Sequence, residues 1–148
     1  MLFFRSRRRV DRIVGDLLSP VAGPILVVGR VHLAKTLAEA RPEVTLVSPR
    51  RKPPRGFHGT VLSSTAGLFR QSAVVSTNLA DASPMLAPNG LVVIVGEGPR
   101  EDTTQAFLLA GLVDIEQQVV GRIVITSGKR VVNLAAAPPV PPAASPAP

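Results

Sequence analysis

The chain has no cysteine, tryptophan or tyrosine, and five phenylalanines are its only aromatic residues. Without cysteine there can be no disulfide, no thiolate nucleophile and no cysteine-ligated zinc. With so few aromatic rings, a stacking platform for bases or sugars is excluded as a main device. Two histidines, His32 and His58, leave little for a metal, and no metal site is expected. No apolar run approaches the roughly 20 residues of a membrane span, so no transmembrane segment is expected. Ser6-Arg7-Arg8 resembles the start of a twin-arginine export signal, but Asp11, Arg12 and Asp16 interrupt the stretch that should be apolar. The expectation is a cytoplasmic protein.

What is present suits one core. The chain has 148 residues, 45% of them hydrophobic, enough for a single domain built on Val, Leu, Ile and Ala. The net charge of +7 is concentrated. Arg5, Arg7, Arg8, Arg9 and Arg12 form one cluster, and Arg50, Arg51, Lys52 and Arg55 a second. Both are candidates for binding an anionic partner, a nucleic acid or a lipid surface, with plain solvated charge as the alternative.

Residues 1–19 read as a basic arm and amphipathic helix, because Val10, Ile13, Val14, Leu17 and Leu18 recur at helical spacing before Ser19-Pro20. The stripe is expected to pack on its own domain; the alternative is that the arm, with Leu2, Phe3 and Phe4, lies on a membrane surface. Residues 20–134 carry the domain. An apolar run at 24–28 predicts a strand buried on both faces, residues 32–40 a helix and 44–47 a second strand, which together imply a parallel crossover. Short strands follow at 60–62, 73–76 and 91–95, with a surface loop at 49–59 and a turn at 86–90, in which Pro88 suits a fixed φ and Asn89 a positive one. A helix over 101–110 ends at Gly111, and strands at 113–120 and 122–126 pair as an antiparallel hairpin. Residues 135–148, rich in Pro and Ala, are expected to be disordered.

This order resembles the class I S-adenosylmethionine-dependent methyltransferases over residues 17–132. Leu86-Ala87-Pro88-Asn89-Gly90-Leu91-Val92-Val93-Ile94 is similar to that family's turn and fifth strand, and Ala110-Gly111-Leu112-Val113 to the entry to its sixth. The resemblance implies an α/β fold with a compact Rossmann-like sheet, mostly parallel, ending in a C-terminal antiparallel hairpin. It also locates the cofactor residues. The family's first strand ends in an acid and a glycine-rich loop, where this chain reads Val27-Val28-Gly29-Arg30-Val31-His32-Leu33. The acid that holds the ribose aligns with Ser48, and the one facing the adenine amine with Ser63 or Ser64. Three carboxylates are therefore absent together, leaving Gly29, Arg30, Ser48 and Ser63 as a degenerate cofactor set.

The same residues count against a dinucleotide fingerprint, since Val31 occupies its middle glycine. A phosphate at the helix after Gly29, aided by Arg30 and His32, is a weaker reading than Arg30 facing solvent and His32 capping the helix. Asn78, Asp81 and Glu97 are the catalytic candidates, the first two doubling as turn and cap groups. His58, in a Gly-Phe-His-Gly loop, is a weaker one. The segment between Asp81 and Pro88 is too short for a full substrate-covering helix.

The expectation is a non-catalytic methyltransferase-like domain acting as a binding or assembly component, with a protein partner or self-association. No cofactor is expected. The alternatives are an active S-adenosylmethionine-dependent methyltransferase with an unconventional site, acting on nucleic acid, and an adaptor binding anionic surfaces through its N-terminal arginines.

Overall fold

Ile25-Leu26-Val27-Val28 offers no polar face to water, and these residues form an inner strand of the sheet, the first three fully buried. The computed structural model describes residues 2–48 and 55–131, with side chains from Ser6 onward. In chain order the elements are α1 (Leu2–Leu18), β1 (Ile25–Val28), α2 (Val31–Ala40), β2 (Val44–Val47), β3 (Thr60–Leu62), β4 (Gln71–Ser76), α3 (Leu79–Ala82) with a 3₁₀ turn (Ser83–Met85), β5 (Leu86–Glu97), α4 (Arg100–Leu109), β6 (Val113–Val120) and β7 (Ile123–Lys129). The expected tail at 135–148, the last residues of the expected domain and the cluster Arg50, Arg51 and Lys52 lie outside the described residues.

The seven strands form one sheet in the order β3-β2-β1-β4-β5-β7-β6. Strands β1 to β5 pair in parallel, and β7 runs antiparallel to both β5 and β6. This is the mostly parallel α/β sheet with a terminal hairpin that the sequence predicts.

Alternation along the strands divides the core. Ile25, Val27, Ala73, Val75 and Val93 face α1 and α2, where they meet Val10, Val14, Leu18, Leu33 and Leu37. Leu26, Val74, Val92 and Ile94 face the opposite side and pack with Ala82, Met85 and Phe107. The apolar stripe of α1 is thus spent inside the domain: Val10, Val14 and Leu18 have no exposed surface. Each such side chain contributes about 1.5–3 kcal/mol by leaving water.

Two arginines fasten α1 further. Arg41, just past α2, donates from Nη2 to the carbonyls of Leu18 (2.6 Å) and Ser19 (3.1 Å) and from Nη1 to that of Val21. These oxygens belong to the end of α1 and the turn after it, where helical partners run out. At the other end, Arg30 pairs with Asp11.

Some boundaries depart from expectation. β5 starts at Leu86 rather than 91, because the Pro-Asn-Gly turn is a bulge within the strand: Gln71 pairs with Leu86 and Ala73 already with Leu91. Asn89 takes the positive φ (65°) foreseen for it, and its amide donates to the Arg130 carbonyl at 2.6 Å. β4 begins at Gln71 instead of 73, and β7 spans Ile123–Lys129 instead of 122–126. β6 is an edge strand with a register shift between Val113 and Glu116, where Asp114 sits at φ 53°.

Candidate functional site

In an open parallel sheet, ligands settle beyond the carboxyl ends of the strands where the strand order reverses, here between β1 and β4. After β1 the chain turns at Gly29, whose φ of +77° favours glycine and whose amide donates to Val47 O at 3.0 Å. A Cβ at this position would meet nothing within 4 Å, so the turn is open on its outer side.

Arg30 then occupies the N-cap of α2 without a side-chain cap. Its guanidinium does not face solvent as expected. Nε and Nη2 both lie 2.9 Å from Asp11 Oδ1, and the two side chains are 22% and 14% exposed. The pair neutralises the cation that would otherwise serve a phosphate at this turn. His32 does not cap the helix either: it is exposed within α2, and its carbonyl accepts the Thr36 hydroxyl at 3.0 Å.

Ser48, at the end of β2, is buried, and its amide donates to Leu62 O at 2.9 Å. Ser63, after β3, is exposed. After β4, the Ser76 hydroxyl accepts from the Asn78 amide (3.2 Å), and Asn78 Oδ1 accepts from the Asp81 amide (3.3 Å). Asn78 is therefore the N-cap of α3, the cap role weighed against catalysis, and Asp81 is an exposed residue of the first turn. Helix α3 has four residues, so this flank is as short as the sequence suggests.

Glu97 is exposed at the end of β5 and lines a cleft of about 520 Å³ with Arg100 and Arg122. That cleft is walled by β5, β6 and β7 and is not shared with Gly29, Ser48 or Asn78. His58 is exposed in a loop whose Gly59 lies tight against the Val44 carbonyl, at the amino end of β2 and away from the crevice. A larger cleft, about 740 Å³, also lies at the amino end, between the end of α1 and the starts of β4, β5 and β6.

Among the described residues, the ends of β1, β2 and β3 carry no carboxylate, and no group of three or more His, Cys, Asp or Glu is arranged to hold a metal. No described helix is long and apolar enough to cross a membrane. Large apolar side chains do reach the surface, chiefly Phe69, Leu108 and Leu109. Sequence reasoning missed the Arg30–Asp11 and Arg41 contacts, which join residues about twenty positions apart with no local pattern to announce them.

An O-methyltransferase family protein from Burkholderia thailandensis superposes with a TM-score of 0.62 at 13% identity, over 83% of this chain and 57% of its own. The fold is that of the class I methyltransferases. A S-adenosylmethionine-dependent O-methyltransferase from Thermotoga maritima matches with a TM-score of 0.64 at 10% identity, over 84% of this chain and 66% of its own. Magnesium protoporphyrin IX methyltransferase from Synechocystis PCC 6803, solved with bound S-adenosylmethionine, matches at 0.58 and 15% identity, over 84% and 79%. The chain thus spans less than two thirds of the first two methyltransferases. No family model matches the sequence, and no curated protein does.

Proposed function

We propose that the chain is a non-catalytic methyltransferase-like domain that works as a binding or assembly component. One observation carries this reading: the ends of β1, β2 and β3 offer serines and an ion-paired arginine where the cofactor requires carboxylates. S-adenosylmethionine presents an ammonium, a sulfonium and two ribose hydroxyls, all of which favour acceptors. The carboxylate tied to the β1 turn, Asp11, is already held by Arg30. The residues present therefore do not fit the cofactor.

The size of the mismatch matters. Each hydrogen bond that a buried ligand group fails to make costs about 1–3 kcal/mol, and every 1.4 kcal/mol is tenfold in affinity. Two or three such missing bonds take a micromolar ligand to about millimolar or weaker. The short α3 compounds this by leaving one flank of the crevice low.

The competing reading, an active methyltransferase with an unconventional site, rests on the Synechocystis protein, which holds S-adenosylmethionine on the same fold. Calorimetric titration with S-adenosylmethionine and S-adenosylhomocysteine separates the two. No heat of binding up to millimolar ligand is the expected result. Micromolar binding, abolished when Gly29 is replaced by a bulky residue, would overturn the proposal.

A further inference from the structure

Arg8 and Arg12 of the first basic cluster and Arg55 of the second each lie against helix α2 or its cleft with α1. Arg8 and Arg12 stand on one side of α1 and line a cleft of about 630 Å³ with His32 and Thr36 of α2. Arg8, Arg9 and Arg12 are exposed, and none has an ion pair or hydrogen bond among the described residues. Arg30 and Arg41 are by contrast fully engaged. Lys35 is on the next part of α2, and a Cβ on Gly56 would lie 3.6 Å from its Cε, so the loop bearing exposed Arg55 runs over α2. Phe57, partly buried, packs that loop against the hydrophobic cluster to which α1 and α2 contribute.

The result is a basic band that crosses α1, α2 and the loop after them. Of the two carboxylates that line the cleft, Asp11 is neutralised by Arg30, and exposed Asp16 lies toward the carboxyl end of α1, one turn beyond Arg12.

We propose that this layer binds the phosphodiester backbone of a nucleic acid without reading its sequence. Exposed arginines match phosphate oxygens with a planar fork of donors, and repeated cations match a repeated anion. No described side chain on the layer offers a platform for reading bases: its described aromatic, Phe57, is turned to packing against the core. Among the described side chains a lipid surface fits less well, because of the exposed large apolar ones only Val31 belongs to this layer, too little for an apolar wedge. The inference supplies a partner class for the binding reading above, and its test is independent of the cofactor.

Fluorescence anisotropy of the full chain with a short labelled duplex of mixed sequence, without cofactor, measures the interaction. Four phosphate contacts, from Arg8, Arg12, Lys35 and Arg55, give a slope of about −3.6 in log affinity against log salt, or about a 150-fold loss between 50 and 200 mM. The double substitution Arg8→Ala with Arg12→Ala should flatten the slope by about two, and Arg55→Ala by about one, while a permuted duplex binds equally. These positions are exposed, so urea midpoints should stay unchanged, which separates a binding defect from a folding defect.

Absence of salt-dependent binding overturns the proposal. So does binding to phosphatidylglycerol vesicles or to an acidic peptide in preference to the duplex. An unchanged slope for Arg55→Ala overturns the single layer. Tight S-adenosylmethionine binding in the separate titration would overturn the non-catalytic reading and leave this result standing.

Discussion

Replacing Arg41 by alanine tests how α1 is held. Its guanidinium donates to the carbonyls of Leu18, Ser19 and Val21, and no other described side chain is shown serving these oxygens. A hydrogen bond from a charged donor contributes about 1.5–3 kcal/mol, and a cation at a helix carboxyl end a further 0.3–1. Three bonds from one half-exposed group are not additive, and water reaches Ser19, so the expected loss is about 2–3 kcal/mol. For a domain of this size 1 kcal/mol moves the melting temperature by about 2–4 °C, so a fall of about 5–10 °C is expected in calorimetry. Arg41→Lys should recover less than half, since one ammonium cannot reproduce the planar fork. A fall below about 2 °C, or full recovery by lysine, refutes the reasoning.

Two further substitutions bear on the packing and the crevice flank. At Gly128 of β7 an added Cβ would come within 2.8 Å of the Phe107 ring, so Gly128→Ala should lower stability by about 1–3 kcal/mol in urea unfolding, with partial recovery when Phe107→Leu is combined with it. Asn78→Ala removes the cap of α3 at a cost of about 0.5–1 kcal/mol, seen as faster hydrogen exchange at the Asp81 amide with the global melting temperature little changed.

The sequence declares its short parallel strands most clearly. Val44–Val47 and, at the rim, Thr60–Leu62 have the expected bounds, because a short β-branched run flanked by breakers has few other uses in a parallel sheet. The Asn78 cap and the left-handed Asn89 were also legible, since both are properties of a residue and its nearest neighbours. The early start of β5 was not. Leu86 joins the sheet only through pairing with Gln71, and the intervening Pro-Asn-Gly reads locally as an interruption. Arg30 and His32 show the same limit at the site. What a side chain on the β1 turn does depends on a carboxylate nineteen residues earlier, and only the packing of α1 brings the two together. The second basic cluster stands apart in the sequence, and only the packing of its loop, through Phe57 and Gly56, sets Arg55 near Lys35 of α2.

The bulge in β6 has a consequence for assembly. An outer strand of eight residues with free backbone groups is a template on which another chain can add, the first step of edge-to-edge aggregation. Here the register shift between Val113 and Glu116 bends the first half of that edge, and the exposed carboxylates of Asp114 and Glu116 would be desolvated by an incoming strand. At the opposite rim β3 is only three residues long. Both rims are thus poorly suited to the addition of a further strand.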